Sequence, residues 1–453
     1  MLAIAIAINL KFVIREYAWA DDWSFFGGYH NLSPRVDQEH LIGYRPLLQI
    51  IFDYSWPYLN SIDGLKVFRC IAVIGISLLS FLMYRIFSEL GYGKFLSLSI
   101  AFSLYFLPTF QIYQKWATAF PYSWCALISL LAWIANRKSH IALSVIFLIV
   151  AFLTYQPAAT FGLVAVLAET VKKKKVCRQN KTFILQTIFA FVFATIFARL
   201  LLLVMNIEPK LRADIIDSPS EFLAKINWVI SRPLVLMFRP FLFDSPELYE
   251  ILILIPVVTM IHFALWNKVK KLREYIQLLA QVVLILVLML LPLLPIRENQ
   301  IEFRVLPSTS IAGVFLILFA FEILIGRIKL FRQAVISFAC IALVSIGLYV
   351  DRKSEEIFID SYVTTKEFIL ENSKDIGGGV LNYQLTYDGW PMRDYVGAPS
   401  AIYDLQMSWV IEPMLKTLLI DRFNVFNRIS PEESADKKVL NLDVLKEMHT
   451  ARN

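Results

Sequence analysis

The chain has 453 residues, of which 57% are hydrophobic and only 18% charged; its formal net charge is +7 and its mean hydropathy +0.59. Soluble domains carry about 45–50% apolar and about 25% charged residues, so an ordinary soluble core is excluded and a polytopic membrane protein is indicated. The positive excess does not imply a nucleic-acid partner, because it sits in short clusters between apolar runs, where the positive-inside rule puts it.

In chain order, Met1 to Ile14 is apolar apart from Asn9 and Lys11. It is short for a span of about 20 residues, and no small-residue cleavage site follows it. It reads as a first transmembrane helix running to about Trp19, short enough to suggest a clipped start. Next comes "YAWADDWSFF", in which Asp21 and Asp22 are boxed in by Tyr17, Trp19, Trp23, Phe25 and Phe26. The same outer loop, 20–64, contains "GYRPLL" with Arg45 and an amphipathic stretch, Tyr44–Leu59, suited to lying in the membrane interface.

Further apolar runs fall near 66–89, 95–109, 121–136, 141–156, 158–171, 182–205, 250–266, 276–295, 311–326 and 333–350. With the first segment they predict about eleven spans. Basic residues alternate between connections: Lys94, Arg137 and Lys138, Lys172–Lys175, Lys268 to Arg273, and Arg327 to Arg332. These connections are expected to be cytoplasmic, together with the N-terminus, and the tail after Val350 extracytoplasmic. "KKKK" at Lys172–Lys175 is read as a topology anchor. The tail, 351–453, holds 17 acidic and 12 basic residues and mixes strand and helix patterns. It is expected to be a small α+β domain beside a transmembrane body of residues 1–350.

The long outer connections should carry function. A carboxylate at a membrane lip can accept a proton from a hydroxyl, hold a divalent cation or bind a cationic substrate. The repulsion of adjacent carboxylates and their partial burial both favour protonation, so one of Asp21 and Asp22 could be poised as a base. The pair also reads as a helix N-cap. Arg45 is a fork for phosphate or carboxylate, or a headgroup anchor. "TYQPAATF" puts Tyr155 and Gln156 at a helix end, where they could bind sugar hydroxyls or simply accompany the break at Pro157. "RENQIEFRVLPS" brings Arg297 and Arg304 to an outer mouth; Arg304, beside an apolar run, is the better phosphate ligand. Lys115 and Trp116 in "IYQKWATAF" are weaker substrate-binding candidates. Neither the four cysteines nor the five histidines show metal-ligand spacing, and no Walker loop, GxSxG or HExxH occurs.

These motifs resemble the GT-C polytopic glycosyltransferases: "ADDW" after a first helix, "GYRPL" in a long outer loop, "YQ" at an outer helix end, "FRVLP" before a late span. Within that class they are most similar to the bacterial serotype-converting O-antigen glucosyltransferases. The resemblance covers roughly residues 1–350. It implies an inverting transfer of a sugar, glucose in those enzymes, from a polyprenyl-phosphate donor to a surface glycan such as O-antigen, at the outer face of the bacterial inner membrane. Asp21 and Asp22 would take the base position and Arg304 a contact to the donor phosphate. No cofactor is implied, although a divalent cation remains compatible with the carboxylates. The partners would be the lipid-linked donor, the glycan acceptor and the bilayer. The rivals are a transporter or flippase for lipid-linked glycans, and an O-antigen polymerase or ligase. A transporter would be expected to place charges near mid-membrane, and few are evident. A polymerase or ligase would be expected to rely on arginines of a large outer loop.

Overall fold

The computed structural model describes residues 2–18, 22, 39–59, 61–208, 215–238, 247–269, 271–297, 303–325, 342, 345–352, 355, 359, 363, 366–367, 371, 380–384, 425–428 and 440–441. Helices of eight residues or more are numbered here: α1 (Leu2–Ile14), α2 (Pro46–Leu59), α3 (Ile62–Glu89), α4 (Lys94–Phe106), α5 (Pro108–Lys115), α6 (Phe120–Arg137), α7 (Ile141–Thr154), α8 (Leu163–Lys173), α9 (Arg178–Val204), α10 (Pro219–Ser231), α11 (Glu247–Val269), α12 (Leu272–Met289) and α13 (Pro307–Ile325). Among the described residues five helical stretches, Ile62–Glu89, Ala117–Arg137, Arg178–Val204, Leu272–Met289 and Pro307–Leu324, are long and apolar enough to cross a bilayer, and the bent pair α4–α5 makes a sixth if its two helices are one broken span. The molecule is thus a mostly helical, multi-pass membrane protein. The eleventh expected span, 333–350, falls largely outside the described residues.

Helix α9 shows how the sequence sorts its faces. Leu185, Phe189, Phe193, Ile196, Leu200 and Leu203 recur at helical spacing and are exposed, whereas Phe183, Thr187, Ala190, Ala194 and Ala198 are buried. Large apolar side chains thus face lipid, and small ones let the helix approach α7, its main neighbour. Gly313 of α13 serves a similar close approach: a Cβ there would collide with the Met237 carbonyl.

The run expected near 95–109 is not one straight helix. Pro108 lacks an amide hydrogen and cannot bond the Leu104 carbonyl four residues back; α4 and α5 meet there at 54°. Gln114 Nε2 takes over that carbonyl at 3.2 Å and also reaches Phe110 O at 2.9 Å, while Gln111 Nε2 bonds the Tyr105 carbonyl. A break inside a bilayer needs this kind of repair, because no water is there to satisfy the freed groups. Every residue from Pro108 to Ala119 is buried.

The expected run at 158–171 is likewise too short to cross alone. α8 has 11 residues and α7 has 14, about 17 and 21 Å at 1.5 Å per residue, against about 30 Å of hydrocarbon. Between them the chain turns at Tyr155–Gly162. This turn is buried except at half-buried Gln156, and its backbone is satisfied from neighbouring helices. Ser129 Oγ donates to Ala159 O at 2.5 Å and accepts from Gly162 N at 2.9 Å. Cys125 Sγ reaches Ala151 O and Tyr155 O, each at 3.2 Å.

The first helix ends at Ile14, earlier than the expected end near Trp19. The carbonyls that follow it are taken up by Arg69 of α3, which is fully buried: Nη1 donates to Tyr17 O at 2.9 Å and Nη2 to Arg15 O at 3.3 Å. The guanidinium also stacks on the Tyr17 ring, 3.8 Å from its centroid. The chain therefore leaves the first helix along a fixed path as far as Ala18.

Residues 345–352 are helical, so the boundary expected after Val350 falls inside a helix. Asp351 joins the bundle, where its carboxylate pairs with Lys115 at 3.1 Å and Lys11 at 2.9 Å, and Lys11 also pairs with Glu355 at 2.9 Å. Of the later tail, three short strands are described: β1 (Val380–Gln384), β2 (Val425–Arg428) and β3 (Leu440–Asn441). They pair in parallel in the order β2-β1-β3.

Candidate active site

The hub of the site is the buried segment Tyr113–Thr118, where α5 ends and a tight turn, Ala117–Ala119, leads into α6. Its polar groups reach several other elements. Thr118 N donates to Asp22 Oδ1 at 3.0 Å. Tyr17 OH donates to Lys115 O at 2.6 Å. Tyr113 OH donates to Arg304 O at 2.6 Å, and the Arg304 guanidinium lies 5.2 Å from the centre of the Trp116 ring. Asp22 itself is fully buried. A backbone amide on one carboxylate oxygen fixes its direction.

A second group closes the site from the α7–α8 turn. Tyr155 OH donates to Arg304 O at 3.2 Å, alongside the bond from Tyr113. The Tyr155 ring stacks on Tyr122 at 3.7 Å, and the guanidinium carbon of Arg45 is 5.0 Å from the Tyr155 ring centroid. Arg45 Nε donates to Gln156 Oε1 at 3.2 Å, and Gln156 Nε2 donates to Tyr44 O at 2.6 Å. Tyr44 has φ +59°, a left-handed turn that follows the short helix Glu39–Ile42 and aims Arg45 inward as α2 begins. Helix α2 packs Leu48, Phe52 and Leu59 inward and leaves Ile50, Tyr54 and Tyr58 exposed, a stripe suited to the membrane interface.

Five of the residues singled out by sequence, Asp22, Arg45, Tyr155, Gln156 and Arg304, are thus joined by direct contacts or through Tyr113–Thr118. Asp21 lies outside the described residues. Lys115 turns elsewhere: its ammonium is buried against Asp351 and the Phe12 ring, 3.5 Å from the centroid, and ties α1 and the 345–352 helix to α5. Arg297 is also engaged elsewhere, with Asp217 and Glu221, each at 3.0 Å. Those carboxylates raise its already high pKa further. Together with the bridge between Ile215 and Ile296, these ion pairs pin the start of α10 to the end of the α12 region.

Tyr113, Thr118 and Tyr122 were not singled out by the sequence as ligands, and Trp116 only as a weaker candidate beside Lys115. Their signal was weak: "IYQKWATAF" interleaves polar and aromatic residues in an otherwise apolar region, which fits a lipid-interface belt as well as a site. Among the described residues no group of three or more His, Cys, Asp or Glu could hold a metal ion.

The arrangement combines one oriented, buried carboxylate, two guanidiniums held against aromatic faces, and an amide side chain. It can accept a proton beside an anion held by arginine. No family model, no curated protein and no solved structure matches this chain.

Proposed function

We propose that the protein is an inverting glycosyltransferase that moves a sugar from a polyprenyl-phosphate donor to a glycan acceptor at the extracytoplasmic face of the membrane. The observation that carries the reading is the junction of Asp22 with Arg304 and Arg45 through Thr118, Trp116 and Tyr155. In this reading a base and phosphate-binding cations meet there between helices of a membrane protein.

In this reaction the acceptor hydroxyl oxygen attacks the anomeric carbon and the carbon–oxygen bond to phosphate breaks. The hydroxyl proton passes to Asp22, and the bonding pair remains on the polyprenyl phosphate, whose charge Arg304 and Arg45 offset. The donor carries its own leaving group, so no nucleotide loop is required. Tyr113, Trp116, Tyr122 and Tyr155 would keep water from the reacting carbon. By the alternation of basic clusters, the N-terminus is assigned to the cytoplasm and the tail to the outside. The tail itself is assigned to a small α+β domain.

The broken pair α4–α5 and the buried Lys115 are also features of carriers. A transporter of lipid-linked sugar is therefore the second reading. Purified protein given polyprenyl-phosphate glucose and delipidated O-polysaccharide separates the two: the first reading requires a glycosylated product by mass spectrometry, the second gives none.

A further inference from the structure

The mechanism above leaves the Thr118 hydroxyl of the hub unused. Thr118 is 4% exposed, and its Oγ1 is buried with no hydrogen-bond partner among the described residues. Its own backbone N–H is the group that holds Asp22 Oδ1, at 3.0 Å. Covalent geometry keeps a threonine Oγ1 within about 4 Å of its own amide nitrogen. The hydroxyl therefore sits within about 7 Å of the carboxylate oxygen, the sum of that reach and the hydrogen bond. A buried hydroxyl without a partner is costly to retain, and such groups call for an explanation. Valine has the same branched shape and would fill the same space without that cost.

From this juxtaposition we infer that Thr118 binds a sugar hydroxyl of the acceptor, next to the hydroxyl that Asp22 deprotonates. Resting on the glycosyltransferase reading, the inference extends it to the acceptor: two vicinal hydroxyls are read together, one by the carboxylate and one by threonine. A hydroxyl both donates and accepts, so Thr118 can serve a sugar hydroxyl in either sense. An acceptor that lacks the neighbouring hydroxyl would lose this contact and leave the threonine unpaired in a closed site, which is the strongest form of discrimination available to a polar pocket.

The test compares Thr118→Val and Thr118→Ser with wild type in two measurements. The first is thermal unfolding in detergent without substrate. The valine variant should melt at or above the wild-type temperature, because it removes an unsatisfied polar atom and keeps the N–H to Asp22. The second is transfer from polyprenyl-phosphate glucose to delipidated O-polysaccharide. The valine variant should raise the acceptor KM about tenfold or more with the donor KM unchanged, and the serine variant should restore most of the affinity. A destabilised valine variant would mean that the hydroxyl serves the fold, and an unchanged acceptor KM would mean that it touches no acceptor; either result overturns the inference. Wild-type protein that transfers no sugar overturns the underlying reaction and this inference with it, an outcome distinct from active enzyme indifferent to the substitution.

Discussion

The Lys115–Asp351 pair predicts a lopsided response to mutation. Lys115 is fully buried and the Asp351 side chain is 18% exposed, with Nζ and Oδ1 3.1 Å apart. At an effective dielectric of about 20 that separation corresponds to an attraction of about 5 kcal/mol. Asp351→Asn keeps the size of the side chain but leaves a buried ammonium without its counter-charge. Removing one partner of a buried pair costs about 3–5 kcal/mol. Lys11 is not stranded by this change, because Glu355 still faces it at 2.9 Å, so the loss reports on Lys115. Lys115→Met should behave differently. It removes the buried cation, fills similar space, and leaves Asp351 paired with Lys11 at 2.9 Å; the expected cost is within about 1 kcal/mol. Reversible unfolding in mixed micelles measures both variants, and the double variant should recover most of what Asp351→Asn loses. Equal losses for the two single variants, or an Asp351→Asn protein as stable as wild type, would refute the reasoning. A rise in donor KM for Lys115→Met would return Lys115 to the substrate-binding role suggested by its sequence context.

Gln114→Leu should destabilise by about 1–3 kcal/mol, since it orphans the Leu104 carbonyl that Pro108 cannot serve; adding Pro108→Ala should recover part of this in the same unfolding assay. Arg304→Ala removes the guanidinium but keeps the backbone carbonyl that Tyr113 and Tyr155 bind. The protein should stay folded, with donor use reduced by about 1.5–3 kcal/mol, roughly 10- to 150-fold in kcat/KM. Arg297→Ala, which loses only exposed ion pairs, should leave kcat/KM near wild type. Arg45→Lys should weaken donor affinity nearly as much as Arg45→Ala, because an ammonium cannot reproduce a fork that bonds Gln156 and stacks on Tyr155 together; an Arg45→Lys protein that matches wild type in donor titrations would remove that role.

The membrane character was legible from composition alone, because lipid-facing stripes such as Leu185 to Leu203 cannot be hidden in a protein of this size. Span number was less legible. Residues 158–171 are apolar because they are buried in protein, and burial in protein leaves the same composition as burial in lipid. Pro157 announced a break whereas Pro108 lies within a run that reads as a span, and the repair by Gln111, Gln114 and Ser129 depends on neighbours that sequence spacing does not bring together. Within the site, Arg45, Gln156, Tyr155 and Arg304 stood out as polar groups at the ends of apolar runs, and they do meet. Lys115 stood out for the same reason and turns away, since a lysine beside an apolar helix looks alike whether it binds a substrate or a buried aspartate. Thr118 gave no signal: a threonine is common in such helices, and only the amide on Asp22 and the buried hydroxyl distinguish it.

The most direct test of the central claim concerns Asp22. Asp22→Asn keeps the size of the side chain and an oxygen for the Thr118 amide, so the folded protein should melt as wild type does. Its basicity is lost, and transfer from polyprenyl-phosphate glucose in a purified assay should fall by about 10²–10⁴-fold, with Asp21→Asn falling less. Transfer by folded Asp22→Asn at a near wild-type rate would contradict the assignment of Asp22 as the base.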